Sequence, residues 1–231
     1  MSMRNRTNPL VAFAANVILE RLGIGGGQDQ APANQEREIG DLSSIAALRR
    51  KDGSVTVIIG RRESGKTVLS YRLAELLGHP VYAVTPEEAP PKGVIELDFE
   101  ELEDMPPPRS TLILDDIPVY ASQRDYSAPA VRTLEKIIPM VRHRRKLHLI
   151  CSTQSSGLSD RFIMDADMIL LKPANLLFSD LERPAVARYY KQFQPIFDRM
   201  SERQRLRHVA VISHSERGIV RVNLPSPLTK G

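Results

Sequence analysis

The chain has 231 residues, of which 42% are hydrophobic, enough for a real core, and its single cysteine rules out an intramolecular disulfide framework and a cysteine-rich zinc site. Lys and Arg outnumber Asp and Glu by 32 to 28, a net +4 that permits a nucleic-acid or membrane partner without requiring one. No stretch reaches the roughly 18 consecutive apolar residues of a membrane-spanning helix, and the start lacks a small-residue cleavage site after a clean apolar core, so neither secretion nor membrane insertion is expected.

In chain order, residues 1–40 form an appendage. An apolar stretch from Leu10 to Leu22, opened by Pro9 and stopped by Gly23, predicts a short helix, and the polar Gly25 to Gln35 segment after it reads as linker. Residues 41–231 form the main domain. Strands are predicted at Val55 to Ile59, Val81 to Val84, Val94 to Leu97, Thr111 to Leu114, Leu147 to Ser152 and Met168 to Leu171, with helices at Gly65 to Leu77, Ala128 to Arg145 and Glu182 to Met200. A hairpin follows: His208 to Ser213, a turn around Ser215 to Gly218, and Ile219 to Leu224. Alternating short β-branched runs with helix-length segments predicts an α/β domain with a mostly parallel sheet.

The first strand runs straight into Gly60-Arg61-Arg62-Glu63-Ser64-Gly65-Lys66-Thr67, which satisfies G-x-x-x-x-G-K-[ST] and opens a helix; these residues and Val68 are the candidate nucleotide-binding set. A loop of this kind aims backbone N–H groups at phosphate oxygens, while Lys66 reaches the β and γ phosphates and the Thr67 hydroxyl holds Mg²⁺. Glu63 is out of character, because a carboxylate beside polyphosphate repels it unless it points away. The strand Thr111 to Leu114 delivers Asp115 and Asp116 at its C-terminal end, where open α/β sheets bind ligands. Adjacent strand positions alternate faces, so Asp115 is assigned to the metal and Asp116 to polarising the attacking water. The run Leu147 to Cys151 ends in Ser152-Thr153-Gln154; Gln154 is a candidate sensor of the γ-phosphate or the water, with a solvated loop residue as the alternative.

The phosphate loop, the acidic pair at a strand end, and Arg142-His143-Arg144-Arg145-Lys146 before a short apolar strand with terminal Gln154 together resemble the FtsK/HerA superfamily of P-loop DNA motors. Within it, the Arg-His pair and C-terminal hairpin are most similar to viral genome-packaging ATPases of poxviruses and membrane-containing icosahedral viruses. Asp116 stands where glutamate is usual, and Arg61, Arg62 and Glu63 where small residues are frequent. The resemblance implies a P-loop NTPase that hydrolyses ATP with Mg²⁺ in a hexameric or pentameric ring and threads double-stranded DNA in the host cytoplasm. It also implies a sensor strand lying between the phosphate-loop and Asp115 strands. Arg142 falls where an arginine finger would reach a neighbour's site, with Arg144 and Arg145 as alternatives. The N-terminal helix is a candidate for docking on capsid vertex or virion membrane proteins.

A second basic cluster, Arg199, Arg203, Arg205 and Arg207, lacks aromatic interleaving, so it suits phosphate contact better than base stacking. Two other readings remain: a membrane-associated phage assembly or export ATPase with the same core, and a small-molecule kinase, for which no acceptor pocket or lid is evident.

Overall fold

The computed structural model describes residues 42–45, 48, 52–85, 89–99, 102, 106–116, 133, 136–137, 141, 146–154, 163–174 and 184–223. The predicted N-terminal helix and linker, Arg142 to Arg145 and most of the helix expected over 128–145 lie outside them.

The strands are β1 (Ser54–Ile59), β2 (Val81–Val84), β3 (Ile95–Glu96), β4 (Thr111–Leu114), β5 (His148–Thr153), β6 (Met168–Leu171), β7 (His208–Ser213) and β8 (Arg217–Arg221). They form one sheet in the order β3-β2-β4-β5-β1-β6-β7-β8. The pairs from β3 through to β6 are parallel, while β6–β7 and β7–β8 are antiparallel. The sensor strand β5 therefore lies between phosphate-loop strand β1 and acidic strand β4, as the resemblance implies. Helices are α1 (Lys66–Leu77), α2 (Pro184–Asp198) and α3 (Glu202–Arg207).

Strands buried on both faces read as continuous apolar runs, and β1, β4 and β6 are buried at every position. Alternation along β1 divides the core. Val55, Val57 and Ile59 join Phe193 and Phe197 of α2 in one cluster, while Ile58 joins Leu69 and Leu73 of α1 in the other. Helices thus cover both faces, and α1 ends at Gly78, whose φ of 68° suits glycine and whose N–H returns to Ala74 O at 3.2 Å.

Most element ends agree with expectation to within two residues, and departures with a visible physical cause occur at β3, the hairpin and the helix after α2. Only Ile95 and Glu96 of the predicted Val94 to Leu97 run pair, because β3 is an edge strand bonded on one side. The hairpin turn is tighter than expected: Ser213 N donates to Glu216 O at 2.8 Å and Glu216 N to Ser213 Oγ at 3.0 Å, so β8 starts at Arg217 rather than Ile219. Helix α3 was not anticipated. Its capping box, Ser201 with Gln204, starts a new helix where α2 was expected to run on to Met200.

Candidate nucleotide site

The site is built at the C-terminal edge of the central parallel strands. Beyond β1, Gly60 packs so tightly that an added Cβ would meet Lys172 Cβ at 2.5 Å and Ser64 Oγ at 2.8 Å. Glu63 and Gly65 turn the loop through left-handed conformations, φ 61° and 80°. Gly65 caps α1 without a side-chain bond to the first turn, leaving the helix N-terminus open to an anion. The Glu63 side chain is exposed, as are those of Arg61 and Arg62.

Lys66 is only 9% exposed and donates from Nζ to Arg61 O at 3.0 Å, which folds it back over the loop. Burial holds its pKa below the ordinary lysine value, opposed by the attraction of Asp116 and Asp115. The carboxylates are therefore close enough to act electrically on the phosphate-loop lysine. Thr67 Oγ1 donates to Asp115 Oδ2 at 2.7 Å, joining the two oxygen donors expected of a Mg²⁺ site.

Asp115 and Asp116 lie in the turn just beyond β4, not in the strand. Their divergence is therefore not the strand alternation expected from sequence; it comes from a left-handed turn at Asp116, φ 45°. Asp115 is buried, with Oδ1 accepting from Ser152 Oγ, while Asp116 N donates to the same Ser152 oxygen at 3.0 Å. Gln154 Nε2 donates to Asp116 Oδ2 at 3.2 Å. Asp116 Oδ1 and Ser64 Oγ are two of the four buried side-chain polar atoms without a partner among the described residues. The other two, His79 Nδ1 and Thr111 Oγ1, lie at the opposite edge, where β4 and β5 begin. The paired oxygen donors of Thr67 and Asp115, with Lys66 beside them, are the donor set that fits a Mg²⁺-nucleotide.

The structure thus brings together Lys66, Thr67, Asp115, Asp116 and Gln154. Sequence reasoning passed over Ser152 as part of a polar strand end, although strand alternation puts it on the opposite face from Thr153. Lys172 was also missed. It follows β6, is 1% exposed, and donates from Nζ to Leu206 O at 2.7 Å and His208 O at 3.3 Å, tying the floor of the phosphate loop to the α3–β7 junction. Arg205 of the second basic cluster is structural: it donates to Phe197 O, Met200 O and Asp198 O at the end of α2. Arg199, Arg203 and Arg207 are exposed.

Burial pushes the Lys172 ammonium from 10.5 down to about 8. Between those values the unfolded chain holds a proton that the folded chain has released, so this group makes stability rise with pH across that window. The neutral amine still offers two N–H donors, and both carbonyl bonds survive. The melting temperature of Lys172→Met should rise less between pH 8 and 10 than that of the unaltered protein; equal slopes would show that another group is responsible.

No protein-family model matches the sequence, and neither does any curated protein. Solved structures do. The genome packaging NTPase B204 from Sulfolobus turreted icosahedral virus 2, in complex with sulfate, matches with TM-score 0.54 and 17% identity over 76% of this chain and 99% of that one. Its AMPPCP complex matches with TM-score 0.54 and 16% identity over 75% and 100%. The cytoplasmic domain of the Type VII secretion ATPase EccC from Thermomonospora curvata matches with TM-score 0.50 and 14% identity over 75% of this chain and 24% of that one. The strand order, the phosphate loop opening α1 and these likenesses show that the chain has the fold of a P-loop NTPase, similar to that of a viral genome packaging NTPase and in keeping with the FtsK/HerA resemblance of its sequence.

Proposed function

We propose that the protein is a Mg²⁺-dependent ATPase that moves double-stranded DNA as an oligomeric ring during viral genome packaging in the host cytoplasm. The observation that carries the ATPase reading is the convergence of Lys66, the Thr67–Asp115 pair and the Asp116–Gln154 pair at one sheet edge. Lys66 neutralises charge on the transferred phosphoryl group. Thr67 and Asp115 hold Mg²⁺, which when bound offsets phosphate charge. Asp116 accepts a proton from the attacking water, while Gln154, donating to Oδ2, fixes the carboxylate plane.

Two observations support a DNA substrate. The similar structure B204 is described as a genome packaging NTPase. Residues 184–223 contain eight Arg or Lys against three Asp or Glu, an excess of five, whereas the whole chain has an excess of four. The positive charge is therefore concentrated on α2, α3 and the hairpin, which suits contact with a polyanion. In this reading Arg142, which lies outside the described residues, acts on a neighbouring subunit, and the N-terminal helix docks on capsid or virion membrane proteins.

The likeness to EccC favours a second reading, an export ATPase acting at a membrane. Among the described residues no helix is long and apolar enough to cross one. Phosphate release from Mg²⁺-ATP, measured with linear duplex DNA and separately with anionic vesicles, distinguishes the two. Stimulation by DNA is the expected result, and stimulation by vesicles alone would favour export.

A further inference from the structure

The hydroxyl of Ser152 is the junction between the two acidic residues. Its Oγ donates to Asp115 Oδ1 and accepts from the backbone N–H of Asp116 at 3.0 Å, and the residue is fully buried. An Asp115 carboxylate with neither oxygen fixed would turn about its terminal torsion, which is broad and weakly restrained. With Oδ1 held by Ser152, Oδ2 is the oxygen presented to Thr67, at 2.7 Å. The second bond acts on the main chain. Asp116 sits at φ 45°, a conformation that an L-residue adopts only with local support, and the bond from its N–H to Ser152 anchors the turn that separates the two carboxylates.

We propose that Ser152 is a positioning residue for the metal half of the site: one buried hydroxyl, bridging Asp115 Oδ1 and the Asp116 N–H, sets the Asp115 oxygen that meets Mg²⁺ and the turn that carries Asp116. This rests on the Mg²⁺-nucleotide reading of the site. Ser152 belongs to β5, two residues before Gln154, so the sensor strand reaches the acidic pair twice, through Ser152 inside the core and through Gln154 at its exposed rim. A shift of β5 along β4 would move both contacts together, which ties metal placement to the position of the sensor.

The experiment measures binding rather than turnover: a fluorescent, non-hydrolysable ATP analogue is titrated at increasing MgCl₂, and also in EDTA. Ser152→Ala should raise the Mg²⁺ concentration for half-maximal binding about tenfold, the lower end of what loss of an outer-sphere partner does to a metal site, and leave binding in EDTA unchanged. A purely structural loss would weaken both. Ser152→Thr, which keeps the hydroxyl, should return towards the unaltered value. In an Asp115→Ala background Ser152→Ala should not raise the Mg²⁺ requirement further, because its effect on the metal runs through that carboxylate, whereas its bond to the Asp116 N–H acts on the turn. Should Ser152→Ala fail to fold, Ser152→Cys, which keeps the side-chain shape but is a poor hydrogen-bonding group, carries the same expectation. An unchanged Mg²⁺ requirement in a folded variant, or additive losses in the double variant, would overturn the proposal. Binding by the unaltered protein that ignores Mg²⁺ would instead overturn the reading of the site on which it rests.

Discussion

Lys66→Ala should reduce ATP hydrolysis by at least about a thousandfold, to the level of the uncatalysed background, in a protein that still folds. The side chain is 9% exposed and makes one hydrogen bond, to Arg61 O, while the buried Asp115 that it attracts keeps its bonds from Thr67 and Ser152. The electrostatic role of Lys66 is harder to replace. Asp115 and Asp116 both act on it, and without its ammonium the remaining loop cations, Arg61 and Arg62, are exposed ones. Losing one preorganised donor to a developing charge lowers turnover by about a hundred- to a thousandfold elsewhere, and the loss of nucleotide affinity compounds it. Phosphate release and binding of a labelled nucleotide, measured on a variant with an unchanged melting temperature, check this. Normal turnover would remove the phosphate-loop assignment.

Asp116→Asn should separate binding from chemistry: nucleotide affinity within a few-fold of the unaltered protein, hydrolysis lower by about two to four orders of magnitude. The substitution is gentle on the structure for a specific reason. Position 116 has φ 45°, and asparagine tolerates the left-handed region as well as aspartate does, so the turn and its bond to Ser152 persist. An amide oxygen in place of Oδ2 still accepts from Gln154. What is lost is the charge and basicity of the carboxylate proposed to take a proton from water. Single-turnover hydrolysis against equilibrium binding measures the split. Hydrolysis at the normal rate would move the base elsewhere, and Glu63 would have to be tested next, despite its exposed, outward position.

Much of this arrangement could be read from the sequence, because it rests on local signals. The phosphate loop is spelled out between an apolar strand and a helix, and the apolar runs stop at Leu114 and Cys151 where polar residues begin, so Asp115, Asp116 and Gln154 were legible as strand-end groups. Their contacts were less so. Two aspartates before Pro118 are a common opening of a turn, but the left-handed conformation at Asp116 is not written in the stretch, and strand alternation does not account for how the two carboxylates diverge. Ser152 looked like a polar residue at the end of a strand, yet its meaning depends on β5 lying beside β4, a non-local pairing. Lys172 was invisible for the same reason: a lysine after an apolar strand suggests solvent, and only the position of the α3–β7 junction supplies the carbonyls that allow its burial. The capping box at Ser201 and Gln204, by contrast, was present in the sequence and would have located α3.

The most direct test of a DNA-moving motor is physical displacement. A linear duplex carrying a third-strand oligonucleotide bound at one site is incubated with the protein, MgCl₂ and ATP, and release of the third strand is followed by fluorescence. Release that requires ATP, is abolished by Lys66→Ala and is lost when ATP is replaced by a non-hydrolysable analogue is the predicted result. Vigorous ATP hydrolysis that is indifferent to duplex DNA and never displaces the third strand would contradict it.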